Sequence, residues 1–153
     1  MDQADYNRQA VDWRHIRVGS DIAVLEYGVP FADVVTYVTE AIQDPDPWYI
    51  NSSPYGGPIV PPGYFYGEYL KLLVVPNYPM GVLNSQLSFE SSGPVLHGER
   101  VAVIGRIERI YEKRGRPYMD LRIIVRKADG SEPIRGLVTL LLELEEVAHE
   151  SKR

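Results

Sequence analysis

The spacing of apolar and polar positions changes period once along the chain. Residues 22–27, IAVLEY, are apolar enough for a first strand, and Pro30 breaks it. From Asp33 onward Val34, Tyr37, Val38, Ala41 and Ile42 recur at spacings of three and four, which predicts one face of a short helix. Pro45 and Pro47 end that helix, because the ring removes an amide donor and biases the preceding residue away from helix. PPGYFYGEYLKLLVV predicts a second helix, opened by prolines that a first turn tolerates. Phe65, Tyr69, Leu72 and Leu73 form its apolar stripe, Tyr66 and Leu70 widen it, and Pro76 and Pro79 stop it. This helix is expected to be the more deeply buried of the two.

From residue 83 the period is two. LNSQLSFES predicts one strand and GERVAVIGRIERIYEK a longer one, with Val101, Val103 and Ile107 on one face and Gly105 marking a bulge. In RPYMDLRIIVRK, Met119, Leu121, Ile123 and Val125 alternate with Asp120, Arg122 and Arg126, so the acid and the arginines belong to the outer face. Asp129-Gly130 is a hairpin turn. IRGLVTLLLELEE closes the sheet with Val138, Leu140, Leu142 and Leu144 inward. The order strand, helix, loop, buried helix, then about four antiparallel strands predicts an α+β fold of the hot-dog kind: a curved sheet wrapped around the second helix. An open edge strand and an outer face make dimerisation expected.

Composition narrows the function more than the fold. The 153 residues suit a single domain, 1–153, with 1–10 and 147–153 as loose tails. No apolar run approaches the roughly 20 residues of a membrane span, and the N-terminus lacks the apolar core of a secretory signal. A cytoplasmic location is the default expectation. A net charge of −5 argues against nucleic acid, which favours a basic patch. The basic run Lys113-Arg114-Gly115-Arg116 reads as a solvated hairpin tip. With no cysteine there is neither a disulfide nor a thiolate nucleophile or metal ligand, and no metal site is expected.

The connection between the helices, QDPDPWYINSSPYGGPIVPPGYF, is dense in proline and aromatic residues. It resembles the motif D-x-N-P-[LI]-H of the MaoC-like (R)-specific enoyl-thioester hydratases and dehydratases, and the likeness runs from about Val18 to Glu145. Asp44 matches the motif Asp, Asp46 stands where Asn is usual, Pro47 matches, and Trp48 takes the apolar position. Tyr49 stands where the family has its histidine. His15, His97 and His149 fall elsewhere, and His97, in GPVLHGERV, is expected to be structural. Trp48-Tyr49, Tyr55-Gly56-Gly57 and Pro61-Pro62 resemble the MaoC dehydratase N-terminal subgroup. Within it the chain is similar to the non-catalytic A subunit of the mycobacterial (3R)-hydroxyacyl-ACP dehydratase.

The resemblance implies reversible hydration of 2-enoyl thioesters of CoA or a carrier protein, with no cofactor beyond that substrate moiety. It implies a His-bearing hot-dog partner, with this chain as the substrate-binding half. Two alternatives stand beside it: a homodimeric hydratase or thioesterase using Asp44 and Tyr49, and a non-catalytic acyl-thioester-binding module. Asp44 either orients water or bonds backbone amides of the turn. Tyr49 either donates its phenol proton to a substrate oxygen or packs with Trp48 as filler. At a pKa near 10, a phenol is a poor base at neutral pH. Gly63 and Tyr64 offer backbone amides to a thioester oxygen, or Gly63 only permits a tight turn. Trp48 and Tyr55 belong to the binding surface, and one or two of the central helix's aromatics line a tunnel or an interface.

Overall fold

The computed structural model describes residues 11–79, 81 and 83–143. Leu144, His149 and both expected tails lie outside them. A short 3-10 turn, Trp13–His15, leads to β1, Asp21–Gly28. Next come α1, Phe31–Thr36, which continues as a π-type turn over Tyr37–Ala41, and the one-turn α2, Pro47–Ile50. A 3-10 stretch, Pro62–Gly67, opens the central helix α3, Glu68–Val74. Four strands follow: β2 (Leu83–Ser91), β3 (Arg100–Lys113), β4 (Arg116–Lys127) and β5 (Ile134–Leu141).

The five strands form one sheet in the order β1-β3-β4-β5-β2, with every neighbouring pair antiparallel. The alternation read along β4 is realised: Met119, Leu121, Ile123 and Val125 are fully buried. They meet Phe65, Leu72 and Leu73 of the central helix in one core. Arg114 and Gly115 turn the β3–β4 hairpin and Gly130 the β4–β5 hairpin, all at positive φ.

Gly105 does its work differently from the expectation. It stays paired with Ala23 and Ile123, and the extra residue, Ile22, lies on the neighbouring strand between Asp21 and Ala23. A side chain at 105 would lie 3.2 Å from Ile22 Cγ1 and from Leu72 Cβ. The glycine thus lets the central helix approach the sheet, an effect of tertiary packing that strand periodicity does not carry. In β3 the register breaks at Glu108, between Ile107 and Arg109.

The expectation for Asp120 is corrected. It is 1% exposed, bonded to Arg109 Nε at 2.7 Å and to the Thr139 hydroxyl at 2.7 Å. The shift at Glu108 sets Arg109 opposite it, and the stacked rings of Tyr111 and Tyr118 lie close by. A buried carboxylate needs such partners, so the outer face here is a satisfied polar layer rather than a solvated one.

The helices also depart from plain periodicity. In the first helix Val34 and Val38 are buried, whereas Ala41 and Ile42 are exposed. The π-type turn rotates the last residues off the face that a 3.6-residue period assigns them. The helix stops at Gln43, whose φ is 53°, two residues before the first proline. In α3, Glu68 is buried at 6% exposure, where a polar helix position predicts solvent. Its Oε1 accepts from Lys71 Nζ at 3.0 Å, while Oε2 and the buried Tyr27 hydroxyl have no hydrogen-bond partner.

Candidate functional site

The motif segment is a pinned loop laid over the start of the central helix. The Asp44 N–H donates to Val38 O at 2.8 Å and closes the π-type turn. Asp46 then caps α2: its Oδ1 accepts from the Trp48 N–H at 2.8 Å, and Pro47 fills the first helical position. Beyond α2, the Ile59 N–H bonds Trp48 O at 2.8 Å and the Val60 N–H bonds Val95 O at 2.8 Å. These bonds and the prolines hold one fixed path.

The amide-bonding role considered for Asp44 belongs to Asp46. Among the described residues no donor reaches the Asp44 carboxylate, which is exposed on the loop. Trp48 does not pack with Tyr49. It turns outward against Tyr55, ring centroids 6.3 Å apart and edge to face. Together with Ile59, Val60 and Ser91–Pro94 the two rings line a groove of about 250 Å³. Successive residues on a helical turn point in different directions, so Tyr49 faces inward and packs on the core.

Tyr49 shares its surroundings with Tyr37 and Tyr64. The Tyr37 ring meets Tyr64 edge to face at 5.6 Å. Its hydroxyl oxygen lies 2.9 Å from where a Cβ on Gly63 would stand. Gly63 is thus the space in which the phenol oxygen sits. The Tyr64 N–H is taken by Pro61 O at 3.0 Å, so of the two amides considered for a substrate oxygen this one is already bonded. Both groove and phenol cluster open from the same loop, the groove on its outer side and the phenols on its inner side.

The electrostatics favour protonated phenols. Burial, then the carboxylates of Asp44 and Asp46, pushes Tyr49 above the usual tyrosine value. Burial and the neighbouring Tyr49 do the same to Tyr37, and burial, Asp33 and Glu68 to Tyr64. Tyr27 is raised further still, by burial first and Glu68 second. Nearby negative charge and desolvation both oppose a phenolate. At neutral pH these groups donate hydrogen bonds and do not accept protons.

His97 lies under the same loop. Its Nε2 lies 3.2 Å from Ile59 O, its ring meets Phe31 at 4.8 Å, and its buried Nδ1 has no partner. Burial lowers its pKa. It sits where the Gly98 turn, at φ 77°, feeds β3, and Glu99 closes that turn by accepting from the Leu96 N–H at 2.9 Å. Tyr37, Tyr27 and Glu68 escaped the sequence reading. Tyr37 falls on the apolar helix stripe, which looks the same whether its hydroxyl meets core or ligand. Among the described residues no group of three or more His, Asp or Glu side chains is placed to hold a metal ion, and no helix is long and apolar enough to cross a membrane.

No family model matches the sequence, and none of the curated proteins matches it. Solved structures do. The (R)-hydratase from A. caviae involved in PHA biosynthesis aligns over 85% of this chain and 99% of its own, with a TM-score of 0.71 at 18% identity. The chain has the hot-dog fold of the MaoC-like hydratases and dehydratases. The MaoC-like dehydratase from Rhodospirillum rubrum shares the hot-dog frame over 88% of this chain and 99% of its own, with a TM-score of 0.68 at 15% identity. The HadBC (3R-hydroxyacyl-ACP dehydratase) complex from Mycobacterium tuberculosis shares it over 80% and 98%, with a TM-score of 0.64 at 18% identity. In this hot-dog frame the Asp44–Tyr49 segment is the loop that crosses from the first helix to the central one.

Proposed function

We propose that the chain is a hydratase or dehydratase subunit acting on 2-enoyl and 3-hydroxyacyl thioesters of CoA or a carrier protein. In this reading it forms the substrate-binding half of a heteromer, and a second hot-dog chain brings the histidine. The observation that carries the reading is Tyr49, a phenol kept protonated at the position where the motif it resembles has histidine.

Hydration of an enoyl thioester needs two proton transfers. A base takes a proton from the water that attacks C3, and an acid delivers one to C2 while donors hold the enolate oxygen. Asp44, exposed and free of described hydrogen bonds, can orient a water. Tyr49 can donate to an oxygen, but a raised phenol does not take the water's proton at neutral pH. One carboxylate without an imidazole leaves the chemistry half equipped, and this favours a partner over the homodimeric Asp44/Tyr49 enzyme. The Trp48–Tyr55 groove supports a binding role: it is apolar on one wall and offers Ser91 and Ser92 on the other. The mycobacterial dehydratase named above is itself a complex of two different chains.

The test is purification of the tagged chain from its host, identification of what accompanies it, and assay of crotonyl-CoA hydration. A stoichiometric His-bearing hot-dog chain with activity supports the heteromer, and the isolated chain is expected to be at least a hundredfold slower, the lower end of general acid–base contributions. An active homodimer would return Asp44 and Tyr49 to the chemistry. A pure, inactive chain that still binds acyl thioesters would make it a binding module.

A further inference from the structure

We infer that Tyr37 is a substrate-contacting residue of this site: its hydroxyl, beside that of Tyr49, donates a hydrogen bond to the carbonyl oxygen of a bound acyl thioester. The inference rests on the thioester reading above and adds the group that holds the acyl oxygen.

Four observations converge on Tyr37. It begins the π-type turn, Tyr37–Ala41, a local widening that re-aims a side chain and that recurs at functional sites. Its hydroxyl occupies the space over Gly63, at a distance that any larger residue there would violate. It makes no hydrogen bond to another described residue, although the ring is half-buried and held edge to face by Tyr64. The Tyr64 amide, the alternative donor at this spot, is already bonded to Pro61 O. A fixed, neutral donor with no internal acceptor suits a ligand oxygen that carries partial negative charge. The neighbouring carboxylates Asp44 and Asp46 repel an anion and leave a neutral carbonyl as the acceptor that fits.

The experiment measures binding of butyryl-CoA, which cannot be hydrated, and of free CoA by calorimetry. It uses the chain alone and with any partner that co-purifies. Tyr37→Phe is expected to weaken butyryl-CoA binding about tenfold, one hydrogen bond to a ligand, while leaving the affinity for free CoA and the melting temperature unchanged. Gly63→Ala should weaken butyryl-CoA similarly in the native background and add little in the Tyr37→Phe background, because the clashing oxygen is gone. Equal butyryl-CoA affinity for Tyr37→Phe and the native protein overturns the inference and leaves the thioester reading standing. If the native protein binds neither compound, with or without a partner, the thioester reading fails and this assignment fails with it. A parallel loss of free CoA binding in Tyr37→Phe also overturns it, since the effect would then not lie at the acyl oxygen.

Discussion

Single residues decide the chemistry at this site by their ionisation. His97 is held neutral: burial lowers its pKa in the folded chain below the value it has when unfolded. The unfolded chain therefore takes up a proton first as pH falls. The stability is complete above about pH 6.5 and is lost as pH drops through the folded value. Thermal melts from pH 8 to pH 5 should show this decline, and His97→Gln, which can still donate to Ile59 O, should flatten it. The phenols give the opposite sign. Tyr37, Tyr49 and Tyr64 are raised on folding, so their contribution is present below about pH 10 and is lost as pH rises beyond it. Absorbance titration should place several tyrosines above the ordinary value in the native protein and none in denaturant. Asp44, Tyr49 and the missing histidine are legible from spacing alone. The hydroxyl of Tyr37 over Gly63 is not, because it depends on a contact between residues 26 positions apart.

Elements here are shaped by caps, bulges and close approaches as much as by periodicity. Asp46 anchors α2 through the Trp48 amide, and Asp46→Ala should cost about 1 kcal/mol, seen in the denaturation midpoint. A side chain at Gly136 would lie 2.7 Å from Phe89 Cε1, so β2 covers β5 only because position 136 is bare. Gly136→Ala is expected to cost about 1–3 kcal/mol, because a ring packed in the sheet's edge cannot move freely. The strand limits of β2 and the two hairpin turns follow from the two-residue period and the turn residues. The π-type turn, the offsets at Ile22 and Glu108 and the burial of Glu68 do not, since each answers to a neighbour distant in sequence.

For the whole molecule, the unpaired edge of the sheet matters most. β2 is the edge strand, and it exposes Leu83 at 57% and Leu87 at 46%. Bare edges with apolar side chains favour association, whether with a second copy or with a partner chain. Leu83→Lys together with Leu87→Lys should weaken whatever assembly the native chain forms. Sedimentation would read this as a smaller species, with the melting temperature little changed because neither side chain belongs to the core. An assembly of native size from the double variant would place the interface elsewhere.

The chain order of elements, the alternation that fills the core, the proline-bound loop and the absence of histidine at its end are local properties, and backbone geometry with side-chain polarity determines them. The α+β class and the position of the candidate site follow. Tertiary structure alone decided which polar groups are buried and which face a ligand. Asp120 went inside because a one-residue shift at Glu108 set Arg109 against it. Glu68 was buried by the approach of the central helix to β1. Tyr37 reached the site because Gly63 made room. Each outcome depends on long-range register and on space left by a distant glycine, and neither is written in the period of any one segment.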